Sequence, residues 1–329
     1  MPIVKYAATC ALLIAIIAPP AAAQRAAADP APGFPSRPLR VIVPFAPQGP
    51  NDQLARMVGA KLTESWGQQV IVDNRPGGGT VIGTELAVRA PADGHTMLMI
   101  SLSTAVNPVL KTRLSYDTAK ELLPLVNLAV SPNILVLHPA VAATNVSGLL
   151  ALAKANPGGI TYASGGTGTA THLAGELLAS MGGVKMTHIP YKGANPATLD
   201  LLGGRVSWMF GTILPTLPHV RSGKLRAIGI SSLKRAAALP EVPAIAETLP
   251  GFEALSFYGI GVPAGVPKPV MVKLNTEIAR IITMPDTREQ LRLQGADAVG
   301  DSQAEFTAFF NKEMMKWAKV IREAGIQPE

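Results

Sequence analysis

The sequence of 329 residues has little cysteine, few aromatic residues and little charge. Its single cysteine, Cys10, lies in an N-terminal segment that we expect to be removed, which excludes disulfides, thiol nucleophiles and cysteine metal ligands from the mature chain. Aromatic residues make up only 5% of the chain, and its 29 basic residues are dispersed rather than gathered in one run. That distribution argues against a nucleic-acid partner.

Hydrophobic runs long enough to cross a membrane are also absent from the sequence. The apolar run from Ala7 to Ala18 follows Lys5 and precedes the small residues that end at Ala23, whereas a bilayer-spanning helix needs roughly 20 apolar residues. This order is typical of a secretory signal peptide. We therefore predict a signal peptide over 1–23, cleavage near Ala23, a disordered proline-rich lead-in over 24–35, and a protein that is exported from the cytoplasm.

Aliphatic residues, glycine and proline are abundant, and short β-branched runs alternate with helical patterns from Leu39 onward. This alternation predicts α/β domains, each with a mostly parallel sheet flanked by helices. The pattern restarts near residue 132 and ends in helices that pack back on the first unit. We therefore expect domain 1 to comprise 36–131 plus 256–329, domain 2 to comprise 132–255, and a ligand cleft to lie between them.

The first candidate site is the segment from Phe45 to Asp52, which leaves a predicted strand and enters a helix that Asn51 is expected to cap. Ligands of open α/β sheets lie at the carboxyl ends of the strands. Free N–H groups and the helix dipole favour an anion at such a place. An ordinary connecting turn is the alternative.

The second candidate site is the segment from Tyr162 to His172, which is rich in glycine and hydroxyl side chains. A phosphate-binding P-loop is excluded because the segment has no lysine. The serine-hydrolase motif G-x-S-x-G is matched only in its second half, since Tyr162 stands where glycine is needed before Ser164. His172 and Glu176 lie on one helical face, either as metal ligands or as a solvated or hydrogen-bonded pair, and the second is favoured because no third ligand is near in sequence.

These segments and several others match one known family in the expected order along the mature chain. The sequence resembles the Bug-type periplasmic solute-binding proteins of tripartite tricarboxylate transporters. The motifs that carry the resemblance include Val43-Pro44-Phe45-Ala46-Pro47-Gln48-Gly49-Pro50-Asn51-Asp52, Tyr162-Ala163-Ser164-Gly165-Gly166-Thr167-Gly168-Thr169, Pro190-Tyr191-Lys192-Gly193 and Leu201-Leu202-Gly203-Gly204-Arg205-Val206.

The resemblance implies a two-domain, type II-like periplasmic binding protein fold that closes over a small carboxylate. It also implies no catalysis, no metal and no cofactor, a monomer, and delivery of the ligand to membrane transporter subunits. The resemblance predicts that the ligand contacts Phe45, Ala46, Gly49 and Asp52 in the first segment, and Ser164, Gly165, Gly166 and Thr169 in the second, with His172 and Tyr191 nearby.

Gln48 departs from the family, which usually has glycine at this position. Its side chain is expected either to line the cleft or to point to solvent. Two other functions stay open: a secreted hydrolase with Ser164 as nucleophile, and a sensor that presents its ligand to a membrane kinase. The sequence does not identify the carboxylate.

Overall fold

The computed structural model describes residues 29–236 and 239–328. The predicted signal peptide lies outside these residues, as does the start of the predicted lead-in. Residues 29–35 form no helix or strand, but Phe34 packs edge-on against Trp66 and Lys273 pairs with Asp29. Within the described ranges, no helix combines the length and the apolar character that a membrane span requires.

Strands and helices alternate through most of the described chain. The strands are β1 (Leu39–Val43), β2 (Val70–Asn74), β3 (Thr96–Ser101), β4 (Leu122–Leu137), β5 (Thr161–Ser164), β6 (Thr187–Pro190), β7 (Trp208–Thr212), β8 (Arg226–Ile230), β9 (Leu255–Pro263) and β10 (Asp297–Ala298). The helices are α1 (Pro50–Trp66), α2 (Val81–Val88), α3 (Leu102–Leu110), α4 (Thr118–Glu121), α5 (Val146–Ala155), α6 (Ala170–Gly182), α7 (Ala194–Leu202), α8 (Ile213–Arg221), α9 (Lys268–Thr283), α10 (Pro285–Leu293) and α11 (Gln303–Glu323).

The strands form a mixed sheet in the order β2-β1-β3-β9-β4-β7-β5-β6, with β8 and β10 also paired to β4. Strands β1, β2 and β3 are parallel to one another, and so are β5, β6 and β7. The central strands β9 and β4 run antiparallel to their neighbours. The α/β prediction is therefore confirmed, but the sheet is mixed rather than mostly parallel, because the chain enters and leaves its second half along these two strands.

Strand β4 belongs to both halves of the sheet. Its residues Leu122 to Pro132 pair with β9, whereas Asn133 to Leu137 pair with β7 and β8. Nearly every residue of β4 is buried. One strand therefore fixes how the two parallel groups, β1–β3 and β5–β7, lie relative to each other.

Helix α11 packs against α3, α6 and β4. Its buried face carries Phe306, Phe310 and Trp317, which are almost fully covered. The indole N–H of Trp317 donates to Glu313 at 2.7 Å, which satisfies its one donor inside the core. The C-terminal helix thus holds together elements from both halves of the chain.

Helix α1 begins differently from the sequence prediction. Gly49, not Asn51, is the N-cap residue, and Pro50 occupies the first helical position, where its missing N–H costs nothing. Before it, Gln48 has a φ of 69°, in the left-handed region. Its N–H donates to the Asp52 carboxylate at 2.9 Å and its carbonyl accepts from Gln53 at 3.1 Å. This backbone conformation explains why glycine suits the position.

The Gln48 conformation predicts a gain in stability for Gln48→Gly. A non-glycine residue in the left-handed region destabilises the folded state by about 1–2 kcal/mol. Replacing it with glycine removes this strain, but the greater flexibility of glycine in the unfolded chain offsets about 0.5–1 kcal/mol of the gain. We expect the free energy of unfolding in urea to rise by up to about 1 kcal/mol. The matched control Gln69→Gly, without a positive φ, should lose stability. A loss in both variants would contradict the argument.

Candidate functional site

Two loops lie at the carboxyl ends of parallel strands and lead directly into helices. The first loop, residues 44–49, joins β1 to α1, and the second loop, residues 165–169, joins β5 to α6. The hydroxyl of Ser103 on α3, which follows β3, donates to the carbonyl of Gly168 at 3.3 Å. The carboxyl edges of the two parallel groups therefore meet at this place in the fold.

The first loop is held by the Asp52 carboxylate. Its Oδ2 accepts from the Gln48 N–H at 2.9 Å and from Arg56 Nε at 3.0 Å, and its Oδ1 accepts from Asn74 Nδ2 at 2.9 Å. Burial acts to raise the pKa of Asp52, but the bonds from Arg56, Gln48 and Asn74 outweigh it and hold the pKa below its ordinary value. Asp52 is only 2% exposed, so its charge serves to shape the loop.

The second loop is shaped by bonds from Ser164 and Gly166. Ser164 Oγ accepts from the Gly166 N–H at 3.1 Å and lies 2.6 Å from His188 Nε2. The carbonyl of Gly166 in turn accepts from the hydroxyl of Thr169 at 2.7 Å. The Gly165 N–H donates to Thr171 Oγ1 at 3.3 Å. The amides of both glycines that were predicted to contact the ligand are thus already bonded to side chains of β5 and α6.

The two residues predicted to lie near the ligand support the second loop from behind. His172 is 3% exposed, and its Nδ1 accepts from the Gly168 N–H at 3.1 Å. The backbone N–H of Tyr191 donates to the Ser164 carbonyl at 3.1 Å, and its hydroxyl donates to Asp200 at 2.7 Å. Burial and this bond to Asp200 raise the pKa of Tyr191 to about 12, so it stays a hydrogen-bond donor.

Several backbone amides of the two loops and of the following helix turns have no acceptor among the described residues. They are the amides of Phe45, Ala46, Gly49, Asn51 and Asp52 around the first loop, and of Thr167, Ala170 and Thr171 around the second. Backbone N–H groups that are shielded from water need a partner. Four of these amides open α1 and α6, where the helix dipole is positive.

Two arginines near the first loop are already paired. Arg56 contacts the Asp52 carboxylate at 3.0 Å, and Arg75 Nε contacts Asp73 at 2.9 Å. Neither loop contains a lysine or an arginine of its own. The two loops themselves therefore offer an anion a set of neutral N–H donors.

Ser164 and His188 lie at the distance found in an activated nucleophile pair. Ser164 is nevertheless completely buried. Its Oγ accepts the Gly166 N–H, and no substrate carbonyl can reach it in this conformation.

Sequence reasoning located the two loops but missed Thr167, Ala170, Thr171 and His188. The positions of Ala170 and Thr171 in the first turn of α6 were a usable signal, since first-turn amides have no partner within their helix. His188 lies on another strand, β6, and no local pattern linked it to Ser164.

Comparison with known proteins places this chain in a family. The family model described as "Tripartite tricarboxylate transporter family receptor" matches residues 54–326. Among solved structures, Rpa4515 of R. palustris with adipate has a TM-score of 0.83 and 32% identity, over 90% of this chain and all of that one. The periplasmic binding protein BugD has a TM-score of 0.79 and 31% identity, over 90% of this chain and all of BugD.

A third solved structure is similar over nearly the same length. MatC from Rhodopseudomonas palustris with bound malate has a TM-score of 0.78 and 28% identity, and the match covers 88% of this chain and all of MatC. The predicted resemblance to Bug-type proteins and the two-domain periplasmic binding protein fold are confirmed. The chain belongs to the tripartite tricarboxylate transporter receptor family.

Proposed function

We propose that the protein captures a small carboxylate between its two loops in the periplasm and delivers it to a tripartite transporter. The unpartnered amides at the first turns of α1 and α6 carry this proposal, because they offer neutral donors to one anionic group. The relatives Rpa4515 and MatC, with adipate and malate, support a dicarboxylate as the ligand class.

The unpartnered backbone amides are numerous enough to bind a carboxylate with micromolar affinity. Each hydrogen bond to a charged group contributes about 1.5–3 kcal/mol. Three or four such bonds, together with about 0.3–1 kcal/mol from each helix end, reach the roughly −8 kcal/mol of a micromolar complex before ordering costs. The eight unpartnered amides leave room for water-mediated contacts as well.

The predicted site residues divide into two roles in this proposal. Direct donors are the amides of Phe45, Ala46, Gly49 and Asp52, to which we add those of Asn51, Thr167, Ala170 and Thr171. The remaining predicted residues form and support the loops, as does the side chain of Asp52: Gln48, Ser164, Gly165, Gly166, Thr169, His172 and Tyr191.

The proposed domain boundaries, at 131/132 and 255/256, lie where β4 changes its pairing partner. Pro132 is paired with Leu255 at the end of the β4–β9 ladder. If the two domains close over the ligand, the chain would bend at Pro132 in β4 and at Leu255 in β9, which lie side by side. Cleavage of a signal peptide near Ala23, a monomeric state and the identity of the membrane partner remain predictions.

A thermal-shift series tests the ligand class. Adipate, malate and a tricarboxylate at millimolar concentration should raise the unfolding temperature of the protein, because a ligand that binds only the folded state stabilises it by mass action. Adipamide, which has the length of adipate without its charges, is the matched control and should give no shift. If no mono-, di- or tricarboxylate raises the unfolding temperature, the proposed function fails.

Ala170→Pro tests a single donor. Ala170 is the first residue of α6, and Thr169 before it has φ −74° and ψ 158°, which are compatible with a following proline. The variant removes one N–H that has no partner in the protein, so we expect affinity for the bound carboxylate to fall about tenfold by calorimetry while stability is kept.

The matched control is Ala170→Val, which adds similar bulk and keeps the N–H. It should bind nearly as well as the natural protein. Equal affinity of the proline and valine variants would show that the Ala170 amide is not a ligand donor.

A further inference from the structure

The backbone of Gly168 is held from two sides. Its N–H donates to His172 Nδ1 at 3.1 Å, and its carbonyl accepts from Ser103 on α3 at 3.3 Å. Gly168 has a φ of 75°, and a Cβ atom here would lie 2.6 Å from Leu110 Cδ1. Both features favour glycine at this position, and its N–H is directed at His172 rather than offered to a ligand.

The bond to Gly168 defines the tautomer of His172. Because Nδ1 accepts a hydrogen bond, the proton of the neutral ring must lie on Nε2. Nε2 lies 3.6 Å from Glu176 Oε1, too long for a hydrogen bond but close enough for electrostatic attraction in a buried place. Glu176 therefore favours the tautomer that leaves Nδ1 free to accept.

Glu176 is held in its ionised form. Its side chain is 18% exposed, and its Oε1 also accepts the hydroxyl of Tyr162. Burial acts to raise the pKa of Glu176, but the interactions with His172 and Tyr162 lower it below its ordinary value. Burial and Glu176 raise the pKa of Tyr162, so Tyr162 stays a donor.

A second histidine, His188, stacks on the rings of His172 and Tyr162. The ring of His188 on β6 stacks on His172 with centroids 3.9 Å apart and on Tyr162 at 4.9 Å. Burial and the neighbouring His172 lower the pKa of His188 to about 3. His188 is therefore neutral near pH 7 and does not compete with His172 for the Glu176 charge.

We infer that Glu176 is a positioning residue for the ligand site: through His172 it fixes the Gly168 amide and so sets the shape of the second loop. Its expected effect on affinity rests on the proposed function. Its effect on the tautomer of His172 and on the Gly168 amide does not depend on any ligand, and it is measured first.

The test uses ligand-free protein, labelled with 15N, at pH 7. NMR of the natural protein should show His172 with its proton on Nε2 and a slowly exchanging Gly168 amide. Glu176→Leu should mix the two tautomers and speed exchange of this amide about tenfold or more, the loss expected for one buried hydrogen bond. Glu176→Gln, which keeps an acceptor oxygen, should restore most of both signals.

Glu241→Leu, at an exposed position of the same half of the chain, is the control and should change neither signal. A proton on His172 Nδ1 in the natural protein would overturn the inference without any variant. Unchanged tautomer and exchange in a folded Glu176→Leu variant would overturn it as well.

A calorimetric titration with adipate then separates the two proposals. We expect affinity to fall about tenfold in Glu176→Leu and to recover in Glu176→Gln, in step with the Gly168 amide. Equal affinity despite a released Gly168 amide would overturn the link to the ligand site. If the natural protein binds no carboxylate, the proposed function fails, while the NMR result still decides the role of Glu176.

Discussion

Strand β4 is the constraint on which the arrangement of the two loops depends. It is buried along its length and pairs first with β9 and then with β7 and β8. At the change of partner, Asn133 donates its side-chain N–H to the Ala254 carbonyl at 3.1 Å and its backbone N–H to Ser231 Oγ at 2.7 Å. These bonds tie the two crossing segments together and hold the two halves of the sheet in alignment.

Because of that alignment, the site is built from the ends of strands rather than from a dedicated pocket of charged side chains. Parallel strands β1 and β5 each deliver a loop and a helix start, and each helix start supplies unbonded amides with a favourable dipole. The nearby cation Arg56 is paired with Asp52. Neutral donors of this kind hold an anion without the large desolvation cost of burying a cation as well.

The sequence located both loops because each follows a β-branched run and precedes a helical stripe. It could not show which amides are free, since that depends on bonds such as Gly165 to Thr171 and Gly168 to His172. It also missed α3, α8, β9 and much of β4. Pro108 and Pro218 lie inside the two helices, Pro124 lies in β4, and glycines interrupt β9, so tertiary pairing overrides local preference there.

The two loops follow the same electrostatic plan. The Asp52 carboxylate accepts the Gln48 N–H of the first loop. Glu176 acts on the Gly168 N–H of the second loop through His172. A carboxylate facing the ligand directly would repel it by about 1–4 kcal/mol at 4 Å in partly solvated surroundings. Placed behind the loops, each acid instead holds one amide inward and fixes the backbone that presents the others. On the proposed function, the acids of this site contribute to anion binding through backbone shape, and their removal is expected to alter affinity through the loops.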